Sequence, residues 1–347
     1  MQNSNAKGIT LENFALSCGV NIFIIILSLS FSLRKLYLKL LLLHPNCKES
    51  KDSETHMWMQ TSYQFISVYK QRLAALDSKL FSQNGQGSKQ KNTKDSSGHV
   101  EYRRLLSRFR QFLAEEEKFF VRLLIRFRTQ FALDEALAAL IKSNILTEDS
   151  VDSVRDDPGR DGFPDPSEVP VRSNEGREAQ IAIFAKLLVC LGDIARYREQ
   201  YNDGGGRPRA GHEEGAPRKS GRGGRKGNAQ ESRAKPRNYN RARSIYEQAR
   251  LLVPSDGNAF HQLAILSSYQ RDSFGSLFHY YRALCLRQPY DTASDNLITI
   301  LKKAMDQYIS GKRENTSDET NSISLRIKRF KEWVVVLHGL WYLDADE

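Results

Sequence analysis

Asp193, Arg196, Tyr197 and Arg198 fall within six residues of one another and are the groups in this chain best placed to do chemistry. A guanidinium offers a planar fork of N–H donors that fits a phosphate through two hydrogen bonds, and a phenol supplies a further donor. On a helix, Arg196 and Arg198 diverge by about 200°, so only one of them can face a given groove. Asp193 is one turn from Arg196, and a buried Asp193–Arg196 ion pair is the rival reading of the same residues. Tyr69-Lys70-Gln71-Arg72 carries a second pair of cations, of which Lys70 is the candidate for an opposing wall. Nothing in the chain reads as a catalytic constellation. Glu115–Glu117 is an acidic patch on a helix. The glycine clusters at 204–206 and 221–224 lack the Gly-Lys-Ser/Thr and the preceding strand of a phosphate loop. Asp291 with Asp295, and Asp344 with Asp346, lack the setting of a metal site. The seven histidines show no metal-binding spacing, and Cys18, Cys47, Cys190 and Cys285 form neither a zinc pattern nor a disulfide framework. The expectation is a non-enzyme without metal or cofactor, from a reducing compartment.

The elements that must position these groups are helices. Trp58, Ser62, Phe65, Ile66, Tyr69, Leu73 and Leu76 recur at three- and four-residue steps and predict an amphipathic helix over 56–80. Twelve apolar positions from Tyr102 to Phe131 predict a longer one of about eight turns, its other faces covered by arginines. A short helix over 133–145 and another over 177–201 follow. In the latter, Leu187, Leu191 and Ile194 commit one face to the core, which leaves Arg196 to the groove side. From Leu33 the chain reads as helical up to His44-Pro45. Residues 1–32 are an apolar N-terminal segment of uncertain kind. Residues 14–33 carry no charge and are long enough for a membrane span, with a buried helix or a gene-model artefact as the alternatives; the expectation is that they are not an anchor.

Net charge is +11, and ten Lys/Arg against four Asp/Glu lie in residues 202–237 alone. That Gly/Arg/Pro stretch cannot bury a core and reads as a disordered basic linker. Arg218, Lys219, Arg222, Arg225 and Lys226 at its centre are the candidate nucleic-acid contacts, because clustered cations release counterions from a phosphate backbone. Residues 82–97 and 146–176 read as loops, with Phe163-Pro-Asp-Pro166 able to dock locally.

Beyond the linker a 34-residue self-similarity emerges. Ala242, Tyr246, Ala249 and Pro254 follow the spacing of a tetratricopeptide (TPR) repeat. Ser276, Tyr280, Ala283 and Pro289 repeat it, with Phe260, Leu263 and Ala264 on the intervening helix. Leu191, Gly192 and Ala195 fit the first helix of the first copy, which makes 202–237 an insertion within that repeat. Tyr246, Tyr280 and Phe260 are read as core and nothing more. A last helix, 323–343, leaves Phe330, Trp333, Val334, Leu337, Leu340 and Trp341 in a stripe to be covered by further core or by a partner.

Gly192-Asp193-x-x-Arg196-Tyr197 also resembles the phosphoserine-gripping helix of 14-3-3 proteins. Together with Leu38-x-Leu40 through His44-Pro45, Trp58 through Arg72, Leu191 through Arg198 and Ala249 through Ile265, it resembles the telomerase-associated Est/SMG family over residues 33–347. The resemblance implies an all-α chain: a 14-3-3-like domain over 33–201, the linker 202–237, TPR-like helices of a DNA/RNA-binding domain over 238–310, and the start of a further helical region over 311–347. It implies an adaptor of nonsense-mediated mRNA decay or telomere maintenance in nucleus and cytoplasm. Its partners would be phosphorylated Ser/Thr-Gln tails such as that of the decay helicase, other adaptors of the family, and RNA or single-stranded telomeric DNA. Arg196 and Tyr197 match the family's phosphate-gripping pair, with Lys70 for the facing lysine and Arg198 beside them. No PIN nuclease domain is present. A telomerase subunit that binds RNA or DNA directly is the alternative function.

Overall fold

The computed structural model describes residues 20–45, 47–85, 94–146, 162–164, 176–202, 237–310 and 323–344. Among them every extended element is helical, and the one β-bridge, Asp256 with Gln288, is isolated. The chain is all-α. It divides into two units, Met1–Leu133 with Glu148–Ile183, and Asp134–Thr147 with Phe184–Glu347.

In the first unit, α1 (Val20–Leu43) begins well before Leu33, where the sequence reading started it. A run that is apolar on every side has no periodicity to reveal a helix, and β-branched residues cost a helix only tenths of a kcal/mol each. No helix among the described residues is long and apolar enough to cross a membrane. After a 3-10 turn at Lys48–Ser50 come α2 (Ser53–Met57), a π-helical turn (Trp58–Tyr63) and α3 (Gln64–Gly85). Helix α4 (Lys94–Phe131) follows. Thus α3 and α4 both extend into 82–97, which the sequence reading gave to a loop.

The π turn has a local cause. Arg34 of α1 donates to the Thr61 carbonyl at 3.1 Å, and the Thr61 hydroxyl donates to the Met57 carbonyl at 2.7 Å. Both compete with the regular helical ladder. The same guanidinium meets both oxygens of Glu116 at 2.9 Å and lies 4.3 Å from the Phe119 ring centre. Aromatic pairs hold α3 and the π turn to α4: Tyr69 of α3 stacks on Phe109 at 4.9 Å, and Trp58 of the turn meets Phe120 edge-on at 5.6 Å. Phe163 does dock locally, stacked on Phe119 at 5.9 Å, while Arg126 donates to the Pro164 carbonyl.

The second unit contains α5 (Asp134–Lys142) and the C-terminal part of α6 (Arg177–Gln200), whose length crosses the division at Ile183. Then follow α7 (Asn240–Leu252), α8 (Gly257–Tyr269), α9 (Ser273–Leu284), α10 (Thr292–Ile309) and α11 (Ile323–Asp344). Asp256 and Asp272 start α8 and α9 by accepting from the Asn258 and Gly275 amides, both at 2.9 Å. Residues at the repeat positions pack as that pattern requires. Ala242, Tyr246, Ala249, Leu263, Ala264, Ser276, Tyr280 and Ala283 are all buried. Phe260, Ala264, Leu277, Tyr280, Ala283, Ala293, Leu297, Leu301 and Val335 form one cluster that reaches α11. Of the stripe on α11, Val334 packs half-buried against this cluster beside the buried Val335, whereas Phe330 is 67% exposed and Trp333, Leu337, Leu340 and Trp341 are exposed as well.

Candidate functional site

Helix α6 does not leave Arg196 on an open face. From Leu187 through Tyr197 every residue is buried, because the repeat helices cover the side that the apolar stripe leaves uncovered. Gly192 makes this possible. A Cβ there would stand 2.4 Å from Cε1 of Tyr246, so the absent side chain lets α7 lay its tyrosine directly on α6.

Arg196, 6% exposed, sits in the resulting polar cluster. Its Nη2 donates to Asp193 Oδ1 at 3.1 Å, its Nε to the Tyr246 hydroxyl at 3.3 Å, and its Nη1 to the Tyr269 hydroxyl at 3.5 Å. Tyr246 in turn donates to the same Oδ1 of Asp193 at 2.6 Å. The guanidinium lies 4.4 Å from the ring centre of Tyr197. The Asp193–Arg196 pair weighed against a phosphate site in the sequence is therefore present. It engages one N–H of a five-donor fork, and the two tyrosines engage two more. Among the described residues, one N–H on each Nη has no acceptor.

Electrostatics keep the cluster in this state. Burial works against the charge of Arg196, but the oxygens of Tyr197, Tyr246, Asp193 and Tyr269 outweigh it and raise its pKa well above the ordinary arginine value. Burial, and then the Asp193 carboxylate, raise that of Tyr246 well above the ordinary phenol value, so its hydroxyl stays a donor. Next to them His261 is buried against Tyr280 and Tyr290, and burial with the nearby Arg196 lowers its pKa to about 4.

Tyr197 is buried within the second unit, and Arg198 is exposed on α6, its pKa lowered by partial burial and by Arg241. Lys70 belongs to α3 of the first unit. Arg218, Lys219, Arg222, Arg225 and Lys226 lie outside the described residues. Tyr246, Tyr269 and His261 are the cluster members that the sequence did not single out as functional. The repeat pattern marks Tyr246 and explains its ring, but it gives no reason to look at its hydroxyl. Among the described residues no group of His, Cys, Asp and Glu is arranged to hold a metal.

Comparison with known proteins places both parts of this cluster. Residues 52–202 match the family model described as telomerase activating protein Est1, and residues 242–346 match the Est1 DNA/RNA binding domain. Over 278 residues the chain is 27% identical to the nonsense-mediated mRNA decay factor SMG7 of Arabidopsis thaliana, covering 80% of this chain and 21% of that protein. It is 30% identical over 161 residues to SMG7 of Danio rerio, 46% of this chain and 10% of that protein. It is 28% identical over 119 residues to telomerase-binding protein EST1A of Danio rerio, 34% of this chain and 6% of that protein. The chain thus spans about a fifth or less of these relatives' own length. With one model ending just past Arg196 and the other beginning just before Tyr246, the chain belongs to the telomerase-associated Est/SMG family.

Proposed function

We propose that this chain is a non-catalytic adaptor of nonsense-mediated mRNA decay or telomere maintenance, working in nucleus and cytoplasm, that binds phosphorylated Ser/Thr-Gln tails through Arg196. The observation that carries the reading is the unspent part of the Arg196 fork: a buried, permanently charged guanidinium, held by one carboxylate and two phenols, with two N–H groups still to give. A phosphate dianion is the acceptor that such a fork suits best. The SMG7 and EST1A names of the relatives supply the decay and telomerase setting. Tyr197, Arg198 and Lys70 join the proposal on the motif resemblance.

Arg196→Glu would put two carboxylates side by side in a buried place, so a neutral pair is the sounder test. Asp193→Asn with Arg196→Gln removes both charges at once, which costs far less than stranding one of them. Titration calorimetry with a phosphoserine-Gln peptide and its unphosphorylated twin should show the preference for the phosphorylated form falling by at least about 30-fold in this folded variant. An unchanged preference would refute the site.

A second reading is nucleic-acid binding. It is favoured by the match of residues 242–346 to a DNA/RNA binding domain and by the ten cations of residues 202–237. RNA or single-stranded telomeric DNA would be the ligand, and its affinity would fall steeply with salt.

A further inference from the structure

The phosphate reading gives Arg196 a task but leaves open what keeps its fork available. The rival for that fork is Asp193, one turn away on the same helix. A carboxylate and a guanidinium that meet unhindered close into a double contact that uses two N–H groups. Here the contact is single, through Nη2 and Oδ1 alone. Tyr246 accounts for the difference. Its hydroxyl donates to that same Oδ1 at 2.6 Å and takes the Nε proton of Arg196 at 3.3 Å. One phenol thereby shares Oδ1 with Nη2 and takes the Nε proton that the second contact of a double pair would use. Tyr269, on α8, receives from Nη1 at 3.5 Å and fixes the fork from the other side. Tyr239 packs on Tyr269 with ring centres 5.5 Å apart and limits where that ring can go.

We infer that Tyr246 and Tyr269 are positioning residues for phosphate at Arg196: their hydroxyls hold Asp193 and Arg196 in a single-contact pair that keeps two N–H groups open. This rests on the phosphopeptide reading above and adds a dependence between domains. Arg196 lies in the part of the chain matched by the Est1 model, residues 52–202, whereas both tyrosines lie in residues 242–346. The anion site of one domain is completed by hydroxyls of the next, and neither matched segment holds it alone.

Tyr246→Phe tests this in the full chain, because it keeps the ring over Gly192 and removes only the hydroxyl. The probes are a phosphoserine-Gln peptide and its unphosphorylated twin. Affinity for the phosphorylated peptide should fall about 5- to 10-fold, with the unphosphorylated peptide unaffected. Tyr269→Phe should give a smaller loss of the same kind. In an Asp193→Asn background, where no carboxylate competes for the fork, Tyr246→Phe should have less than a twofold effect. A purely structural tyrosine would lower both peptides alike or act equally in both backgrounds, and either result overturns the inference. The two levels separate cleanly. If Asp193→Asn/Arg196→Gln leaves phosphopeptide preference intact, the phosphate reading itself fails. If that variant loses the preference while Tyr246→Phe and Tyr269→Phe do not change it, only the positioning role fails.

Discussion

Gly192 and Tyr246 are in contact so close that a single added methyl group would stand 2.4 Å from the tyrosine ring carbon Cε1 and 2.6 Å from Cδ1. Tyr246 is fully buried and its hydroxyl is fixed on Asp193, so the ring cannot swing away without giving up that bond. Gly192→Ala gains about 1 kcal/mol in helix propensity and loses more to overpacking, roughly 1–3 kcal/mol with the added loss of the Tyr246 bond. Thermal unfolding of Gly192→Ala should show a lower midpoint, together with weaker phosphopeptide binding. Gly339 offers a control. Its added Cβ would meet the flexible Met305 side chain at 2.9 Å, and Gly339→Ala should leave the midpoint within a degree or two of the parent.

The ion pair Arg34–Glu116 makes a comparable demand in the first unit. Its two side chains are 14% and 7% exposed, and one guanidinium serves Glu116, Ser62 and the Thr61 carbonyl. Glu116→Gln keeps the shape but strands the arginine, at a cost of roughly 3 kcal/mol. Arg34→Leu combined with Glu116→Leu should recover much of that loss. Urea unfolding of the three proteins would check the order. A single variant as stable as the double would show that the pair is solvated.

How far the sequence could be read depended on the kind of signal. Three- and four-residue apolar steps located α3, α4, α6 and the helices after the linker, because one buried face is enough to reveal a helix. The TPR spacing identified Tyr246 and Tyr280 as core for the same reason. Where burial is complete on every side the signal disappears. That is why Arg196 reads as facing an open side of α6; the start of α1 at Val20 is missed for a different reason, since a run with apolar residues on every side has no periodicity whether or not it is buried. The π turn at Trp58–Tyr63 depends on Arg34, some 27 residues earlier in the chain, and no local pattern records it. Asp193 and Arg196, one turn apart, were legible as a pair. The hydroxyls of Tyr246 and Tyr269 that complete it come from helices 50 and 73 residues further along the chain, a relation that exists only after folding.

His261 gives the second unit a dependence on acid. Burial, and then the charge of Arg196, lower its pKa from 6.5 to about 4. The fold therefore holds the neutral ring, whereas the unfolded chain protonates it more readily. The contribution is fully present above about pH 6.5 and is lost as pH falls toward 4, at about 1.4 kcal/mol per pH unit. The total is on the order of 3 kcal/mol. His261→Phe fills the space against Tyr280 and Tyr290 without titrating. Urea unfolding at pH 7.5, 6 and 5 should show a gap between parent and variant that changes in favour of the variant as pH drops. A pH-independent gap would mean that the buried ring carries no such linkage.

The basic segment separates the two readings of function by their salt dependence. Replacing Arg218, Lys219, Arg222, Arg225 and Lys226 with Gln removes five positive charges without touching any described helix. If these side chains neutralise phosphates, each contributes about 0.7 to the slope of log affinity against log salt for a single strand. The variant should then lose up to about 3.5 in slope on an RNA or single-stranded DNA probe, with little dependence on base sequence. Its affinity for a phosphoserine-Gln peptide should stay where it was, since one phosphate held by Arg196 takes no part of its binding from the linker. Filter binding across a salt series, with the peptide titration beside it, reads both quantities from the same protein. An unaltered slope would remove the linker from nucleic-acid binding and leave residues 242–346 to account for it. A parallel loss of peptide affinity would instead show that the segment draws phosphorylated tails to Arg196 by long-range attraction.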